Sequence, residues 1–270
     1  MSATRLPLSP LHSVEIAEAY AHLVEQPSEK DFPLHTIARK TAANGRPLVH
    51  SELVIAGRQT RETYPLAARY PVHFLKSYHP WSLHGDPRVE FENTLAASEI
   101  LGSPPPIGYD ANTFRSTFIP GRPLSKLSPF TGVEPADRCI PLAREADPAA
   151  LIGLWKIAEE VFAQLETLHS RRFSHGDAEL HNVIVCLAPV HAFLIDFESS
   201  EQEFSGSEKQ WTELRRRDRF ELLRLAVFLQ CGLGRQAGAL AETALDALPY
   251  IFRYPSALLA SLDAADRGEK

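Results

Sequence analysis

The stretch that most constrains the fold of this chain spans residues 168–198 and has the sequence LHSRRFSHGDAELHNVIVCLAPVHAFLIDFE. Before it, apolar residues recur at helical spacing over residues 149–170, which predicts about six turns of amphipathic helix. Two short apolar strands, at 183–187 and 192–195, follow a polar loop. A helix, a loop and a strand hairpin in this order predict an α+β protein in which both ends of the hairpin lie on one side of a cleft.

Three polar residues in this stretch suit the chemistry of phosphoryl transfer: Asp177, Asn182 and Asp196. That reaction needs oxygen ligands that hold Mg²⁺ on nucleotide phosphates, and a carboxylate that accepts the proton of the attacking hydroxyl. Each of these residues alone is a common turn former. The interpretation depends on their order, because Asp177 and Asn182 lie in the loop that begins one strand and Asp196 follows the next.

The pattern HGDxxxxN followed by IDFE resembles the catalytic and metal-binding segments of the protein-kinase-like superfamily. Its HGD form is similar to the aminoglycoside phosphotransferase and choline kinase branch, and also to the Bud32 and RIO atypical kinases. The resemblance implies that Asp177 is the catalytic base, that Asn182 and Asp196 are magnesium ligands, and that His175 braces the loop. Glu198 stands where eukaryotic protein kinases have the DFG glycine, and DFE is similar to choline-kinase-type enzymes.

The N-terminal half has the pattern of a sheet with one helix. β-Branched and aromatic residues predict an antiparallel meander between residues 35 and 78, including a strand at 63–70, and a further strand at 112–119. Residues 87–101 predict a helix that ends at Gly102. We therefore expect a two-lobed kinase-like fold of the α+β class, with an N-terminal antiparallel sheet plus one helix, a mainly helical C-terminal lobe, and ATP and Mg²⁺ between the lobes.

The resemblance also implies nucleotide contacts in the N-terminal half. Lys76 resembles the strand lysine that holds the α- and β-phosphates of ATP, and Glu92 in the following helix is the expected ion-pair partner. Glu90 and Glu99 are the alternatives. The segment AGRQTRET, residues 56–63, is expected to cover the phosphates, although it lacks the G-x-G-x-x-G pattern. The remaining expected nucleotide contacts are Gly57, Thr60 and Thr63 in that segment, and Phe118 and Ile119 in a hinge that binds the adenine edge.

Composition excludes several classes of function. There are 28 Lys and Arg against 34 Asp and Glu, a net charge of −6, which argues against broad electrostatic binding of nucleic acid or an anionic membrane. The longest nearly unbroken apolar run, residues 183–195, contains Pro189 and His191 and is too short to span a bilayer. Three widely separated cysteines predict neither a disulfide framework nor a zinc site, so we expect a reducing cytoplasm.

Charged residues near the end of the kinase-like stretch add two expectations. The basic run 215–217 is flanked by acidic residues, which favours a solvated helix start over a nucleic-acid contact. Asp218 resembles the buried aspartate that braces the catalytic loop in the superfamily. The carboxylates that follow the metal-binding aspartate, those of Glu198, Glu201 and Glu203, would favour a cationic acceptor.

These patterns predict three segments: an N-terminal extension (1–34), a nucleotide-binding lobe (35–119), and a catalytic and substrate-binding lobe (120–270). The expected function is ATP- and Mg²⁺-dependent transfer of the γ-phosphate to a hydroxyl of a small molecule, such as an aminoglycoside, a sugar or an amino alcohol. The alternatives are an atypical protein Ser/Thr kinase of the Bud32 or RIO type and a non-catalytic nucleotide-binding scaffold. Fold-level analogy does not identify the acceptor.

Overall fold

The computed structural model of the chain describes residues 29–80, 85–128, 142–187, 190–252 and 256–267. The chain divides into two compact units. The first contains the residues up to Gly121 together with Asp196–Ser200, and the second contains Arg122–Ile195 and the residues from Glu201 onward. Most of the expected N-terminal extension (1–34) lies outside the described residues. The segment Asp196–Ser200 belongs to the first unit although the chain on both sides of it belongs to the second.

The first unit is built on five antiparallel strands: β1 (Phe32–Thr41), β2 (Pro47–Ile55), β3 (Val72–Tyr78), β4 (Pro106–Tyr109) and β5 (Thr113–Thr117). They lie in the order β1-β2-β3-β5-β4. The register places Lys76 of the central strand opposite Ser51 of β2 and Phe114 of β5. Because directly opposed residues share a face of the sheet, these three side chains point the same way.

Two short helices, α1 (Arg58–Thr63) and α2 (Pro65–Arg69), connect β2 to β3. The expected strand at 63–70 is therefore wrong. Pro65 occupies the first turn of α2, where its missing N–H leaves no hydrogen bond unmade, and Ala67 packs in the core. Burial of this turn outweighs the β propensity of the flanking tyrosines.

A longer helix, α3 (Pro87–Leu101), has the bounds that the sequence predicts. The Asp86 side chain accepts a hydrogen bond from the Arg88 backbone N–H at 2.8 Å and caps the start of the helix. Gly102 ends it with a φ of 68°, a left-handed conformation that glycine adopts without a Cβ clash. Capping residues at both ends thus fix the helix that follows β3.

The second unit is mainly helical and contains a small antiparallel sheet. The strands are β6 (Arg122–Pro123), β7 (Val183–Leu187) and β8 (Val190–Leu194), in the order β6-β7-β8. The helices are α4 (Leu124–Leu127), α5 (Pro148–Ser170), α6 (Glu208–Leu233), α7 (Ala239–Ile251) and α8 (Ser256–Asp266). Helix α5 packs against α6, which also packs against α7 and α8.

The two long helices of this unit agree with the sequence pattern. Helix α5 begins after the N-cap residue Asp147 and buries an apolar face that includes Leu165 and Leu168. Helix α6 begins three residues earlier than the expected Trp211, because Ser207 and Gln210 form a capping box there. The predicted fold class, α+β with an antiparallel sheet and a mainly helical C-terminal part, is confirmed. No helix in the described ranges is both long enough and apolar enough to cross a membrane.

Candidate active site

In the first unit, the Lys76 ammonium lies at the centre of a cluster of acidic residues. Its Nζ donates to Glu90 Oε1 at 3.2 Å, to Asp196 Oδ1 at 2.9 Å and to Glu198 Oε2 at 2.6 Å. The Tyr78 hydroxyl donates a hydrogen bond to Glu90 as well. The Lys76 side chain is only 5% exposed, so these contacts replace the water that the ammonium loses on folding.

The electrostatics of this cluster keep the lysine charged and leave an excess of negative charge. Burial lowers the pKa of Lys76, but the surrounding carboxylates outweigh burial and hold that pKa well above its ordinary value. Burial raises the pKa of Glu90 to about 7, although the Lys76 ammonium opposes this shift. Glu90, Asp196 and Glu198 each offer an oxygen within 4.8 Å of the others. Three carboxylates around one ammonium form a donor set that suits a divalent cation.

The structure identifies Glu90, the alternative, as the partner of Lys76, and the expectation for Glu92 is wrong. Glu92 Oε1 accepts from Arg88 Nε at 2.7 Å, and its side chain is 50% exposed, against 3% for Glu90. Two positions along a helix turn a side chain by about 200°, so the two glutamates lie on opposite faces of α3. Buried Glu90, Asn93 and Ala97 recur at helical spacing, a pattern that identifies the inward face.

Asn93, which sequence reasoning missed, holds the segment that contains Asp196. Its Nδ2 donates to the Phe197 carbonyl at 3.0 Å and to the Ser200 carbonyl at 3.1 Å. Phe197 is buried, and Asp196 has a φ of 64°, which aspartate tolerates better than most residues. The segment is therefore fixed to α3 at both ends.

The expected phosphate-covering segment does not form a loop between strands. Residues 58–63 are helix α1, and Gly57 and Thr60 both donate to Asp31 Oδ1, at 2.9 Å and 2.5 Å. The Thr63 hydroxyl donates to the Gln59 carbonyl at 2.9 Å. These contacts engage all three of the residues that were expected to bind phosphate, and their contact with phosphate stays a prediction. The expected loop between two strands is wrong because it rested on the wrong strand at 63–70.

The first hairpin of the sheet is β1–β2, and its turn spans residues 42–46. Gly45 takes a φ of 77° there, and its N–H donates to the Ala42 carbonyl at 2.8 Å. Lys40, near the end of β1, places its Nζ 3.7 Å from Glu198 Oε1. The end of β1 therefore lies beside the Lys76 cluster.

The expected hinge residues follow β5 directly. Phe118 and Ile119 lie outside any helix or strand, and Phe118 packs against the buried residues of β2 and β3. The backbone at this point is at the edge of the core of the first unit. The structure places both residues where the sequence expected them, and their contact with adenine stays a prediction.

In the second unit, Asn182 orients Asp177. The Asn182 Nδ2 donates to the Asp177 carbonyl at 2.8 Å and to Asp177 Oδ2 at 3.1 Å. Asn182 is buried and closes a short 3₁₀ helix that leads into β7, so its position is fixed. Because Nδ2 makes both bonds, the amide oxygen of Asn182 is the atom that could coordinate a metal.

Asp218 braces the loop that carries Asp177, as predicted. Asp218 Oδ2 lies 2.9 Å from His169 Nε2 and accepts from the Ser174 hydroxyl at 3.0 Å and the His175 N–H at 2.9 Å. Its Oδ1 accepts from the Gly176 N–H at 2.8 Å. Burial alone would raise the pKa of Asp218, but these hydrogen bonds outweigh it and lower that pKa. Asp218 therefore stays ionised beneath the loop.

A cavity of about 460 Å³ opens beside Asp177 between the loop and helices α6 and α7. Its lining includes Asp177, Glu179, Arg217, Phe220, Glu221 and Tyr250. Glu198, Glu201 and Glu203, which were expected to attract a cationic acceptor, are not among the described residues that line it. Glu198 instead forms ion pairs with Lys76 and Lys40, and Glu201 pairs with the backbone of Ser174.

The comparisons with known proteins give a structural likeness. No protein-family model matches the sequence, and no curated protein matches it. Solved structures that match include the Rio2 kinase-ADP/Mg²⁺-phosphoaspartate complex from Chaetomium thermophilum. It is 13% identical, with a TM-score of 0.45, and the match covers 93% of this chain and 74% of that chain.

Several elements of this chain agree with the arrangement that the resemblance to kinases in its sequence implies. They are the antiparallel sheet, the buried pair of Lys76 and Glu90, the braced HGDxxxxN loop, and the hairpin that leads to Asp196. Each of these features occurs in the chain order that the sequence predicts.

Proposed function

We propose that this protein is an ATP-dependent kinase that transfers the γ-phosphate to a hydroxyl group of a small molecule. The observation that carries the proposal is the buried Lys76 ammonium, held by Glu90 of α3 and Asp196 together. A strand lysine paired with a helix glutamate, beside a metal-binding aspartate, is the arrangement by which kinases hold nucleotide phosphates.

Residues of the first unit would hold the nucleotide. Lys76 and the β1–β2 turn would contact the ATP phosphates, and the backbone of Phe118 and Ile119 would contact the adenine edge. Asp196 would offer an oxygen ligand to Mg²⁺, beside the carboxylates of Glu90 and Glu198. The amide oxygen of Asn182, in the second unit, is the other ligand that the resemblance implies. When bound, Mg²⁺ supplies positive charge that neutralises the β- and γ-phosphates.

The chemical step would use the Asp177 carboxylate as a general base. The acceptor oxygen forms a bond to the γ-phosphorus while its proton passes to Asp177, and the bond between that phosphorus and the bridging oxygen breaks to release ADP. Asn182 holds Oδ2 of Asp177, which leaves Oδ1 for the proton. The network around Asp218 fixes the loop backbone, so Asp177 needs little reorganisation before the reaction.

A small-molecule acceptor is favoured by the cavity beside Asp177, because a volume of about 460 Å³ lies within the usual range for small-molecule sites. An atypical protein Ser/Thr kinase and a non-catalytic nucleotide-binding scaffold are the alternatives. We place the reaction in the cytoplasm, because the three cysteines of the sequence are widely separated and predict no disulfide framework.

A screen for ADP formation tests the proposal. Purified protein with MgATP is incubated with a panel of hydroxylated metabolites and antibiotics, and separately with generic protein substrates. We expect ADP formation to depend on a small hydroxylated compound and to fall by orders of magnitude in Asp177→Asn, whose amide cannot accept the proton. Phosphorylation of proteins alone would favour the atypical kinase. MgATP binding without any transfer would favour the scaffold.

A further inference from the structure

Helix α6 carries four arginines within residues 215–219, and two of them belong to the packing of the second unit. Arg215 and Arg219 are four residues apart and therefore share a face of the helix. Both contact Glu166 of α5: Arg215 Nη2 lies 3.6 Å from Glu166 Oε2, and Arg219 donates to Glu166 Oε1. These two arginines join α6 to α5 and have a structural role.

Arg217 lies on a different face of α6 and, among the described residues, its guanidinium has no ion-pair partner. The glutamates four residues away on either side are the ones that ordinarily pair with such an arginine. Here both are engaged by other arginines. Glu213 accepts from Arg216 Nη2 at 2.8 Å, and Glu221 accepts from Arg224 Nη1 at 3.3 Å. Arg217 is therefore an uncompensated cation on the wall of the cavity that Asp177 lines.

The rest of the lining supplies carboxylates, the Arg216 guanidinium and apolar surface. Burial raises the pKa of Glu221, and the nearby carboxylate of Glu179 raises it further, so negative charges lie close together in that part of the cavity. Phe220 and Tyr250 contribute aromatic rings to the wall. Glu213 and Glu221 are paired with Arg216 and Arg224, so an anionic group would be attracted chiefly by Arg217 and repelled by Glu179. An apolar body would pack against the rings.

We propose that the acceptor of this kinase is a small molecule that carries an anionic group, a carboxylate or a phosphate, which binds Arg217 while its hydroxyl contacts Asp177. This proposal rests on the function proposed above and leaves its phosphoryl-transfer step unchanged. A guanidinium presents N–H donors in a planar fork that matches two oxygens of a carboxylate or phosphate. Arg217 would thus determine specificity for the acceptor rather than act in the chemical step.

Three probes that share a phenyl group and a hydroxyl but differ in charge test this inference. They are 3-phenyllactate, which is anionic, 3-phenylpropane-1,2-diol, which is neutral, and 2-amino-3-phenylpropan-1-ol, which is cationic. Binding to the full-length protein is measured by saturation-transfer NMR titration, and ADP formation with MgATP is measured separately. We expect phenyllactate to bind about tenfold or more tightly than the other two, because only it forms a charge-assisted bond with Arg217.

Variants of Arg217 measure how much this residue contributes to the binding of phenyllactate. Arg217→Gln should weaken phenyllactate binding about tenfold or more, and Arg217→Lys should restore part of that loss, because the ammonium keeps the charge without the fork. Arg171→Gln removes the same charge from an exposed residue outside the cavity and should bind phenyllactate like the wild type. Thermal unfolding checks that both glutamine variants fold.

The binding measurements test the anion site independently of the kinase activity. Phenyllactate binding that Arg217→Gln weakens supports the anion site even if the chain never forms ADP, and in that case only the proposed function fails. Equal or tighter binding of the neutral or cationic probe overturns the inference while the kinase assignment stands. It is also overturned by the absence of phenyllactate binding, or by wild-type binding in Arg217→Gln.

Discussion

Glu90 should make the stability of the protein fall as the pH rises through neutrality. The pKa of Glu90 is raised from its ordinary 4.5 to about 7, chiefly by burial. A carboxyl whose pKa is raised on folding contributes stability that is fully present below pH 4.5 and is lost as the pH rises through about 7. Since a tenfold change in an acid dissociation constant corresponds to about 1.4 kcal/mol, ionising Glu90 should lower the free energy of unfolding by roughly 3 kcal/mol.

Urea unfolding followed by circular dichroism measures this loss of stability. The wild type, Glu90→Gln and Glu92→Gln are each unfolded at pH 5 and at pH 8. Glutamine at position 90 does not ionise, so the wild type should lose roughly 2–3 kcal/mol more than Glu90→Gln between the two pH values. Glu92→Gln alters an exposed glutamate on the opposite face of α3 and should follow the wild type. Parallel pH profiles for the wild type and Glu90→Gln would refute the account of the Lys76 cluster.

Two further predictions concern residues that hold the loops. Asp218→Asn should lower the free energy of unfolding by about 3 kcal/mol or more, since an amide cannot accept from all the donors that converge on Asp218 and each buried donor left unpaired costs roughly 1–3 kcal/mol. Because the pKa of Asp218 is lowered on folding, the wild type should lose this advantage over Asp218→Asn as the pH falls below 3.8. Urea titrations that give the same difference in free energy of unfolding between the two proteins at pH 7 and at pH 2 would contradict this prediction. Asn93→Ala should raise the Mg²⁺ concentration needed for half-maximal ADP formation, because the segment with Asp196 loses both of its side-chain hydrogen bonds to α3. An unchanged Mg²⁺ requirement in a folded Asn93→Ala would show that the segment is held by other contacts.

The sequence predicts the second unit well because its signals there are local. Helix α5 has a long apolar face, the hairpin has continuous apolar runs, and Asp177 and Asn182 lie five residues apart in one loop. A local pattern in the sequence is enough to predict these features. The contacts of Asp218 with that loop span more than 40 positions, and they were predicted only from the resemblance to kinases.

The errors in the first unit arise where tertiary packing decides between local alternatives. Tyr64 and Tyr70 favour a strand at 63–70, but burial of Ala67 and the proline at the helix start give α2 instead. That single error led to the expectation of a loop between two strands at residues 56–63, where the structure has helix α1. Glu90 and Glu92 have the same helix propensity, and only the burial of one face of α3 distinguishes them. The contact of Asn93 with residues 197 and 200 spans more than 100 positions, and no local signal predicts it.

The proposed kinase should bind ATP through Mg²⁺, with Lys76 and Asp196 at the phosphates. Isothermal titration calorimetry of ATP binding tests this directly and needs no knowledge of the acceptor. The wild type, Asp196→Ala and Asp177→Asn are each titrated in Mg²⁺ and in EDTA. We expect Mg²⁺-dependent binding to the wild type and to Asp177→Asn, and its loss in Asp196→Ala. No binding by the wild type, or binding that neither EDTA nor Asp196→Ala reduces, would contradict this expectation.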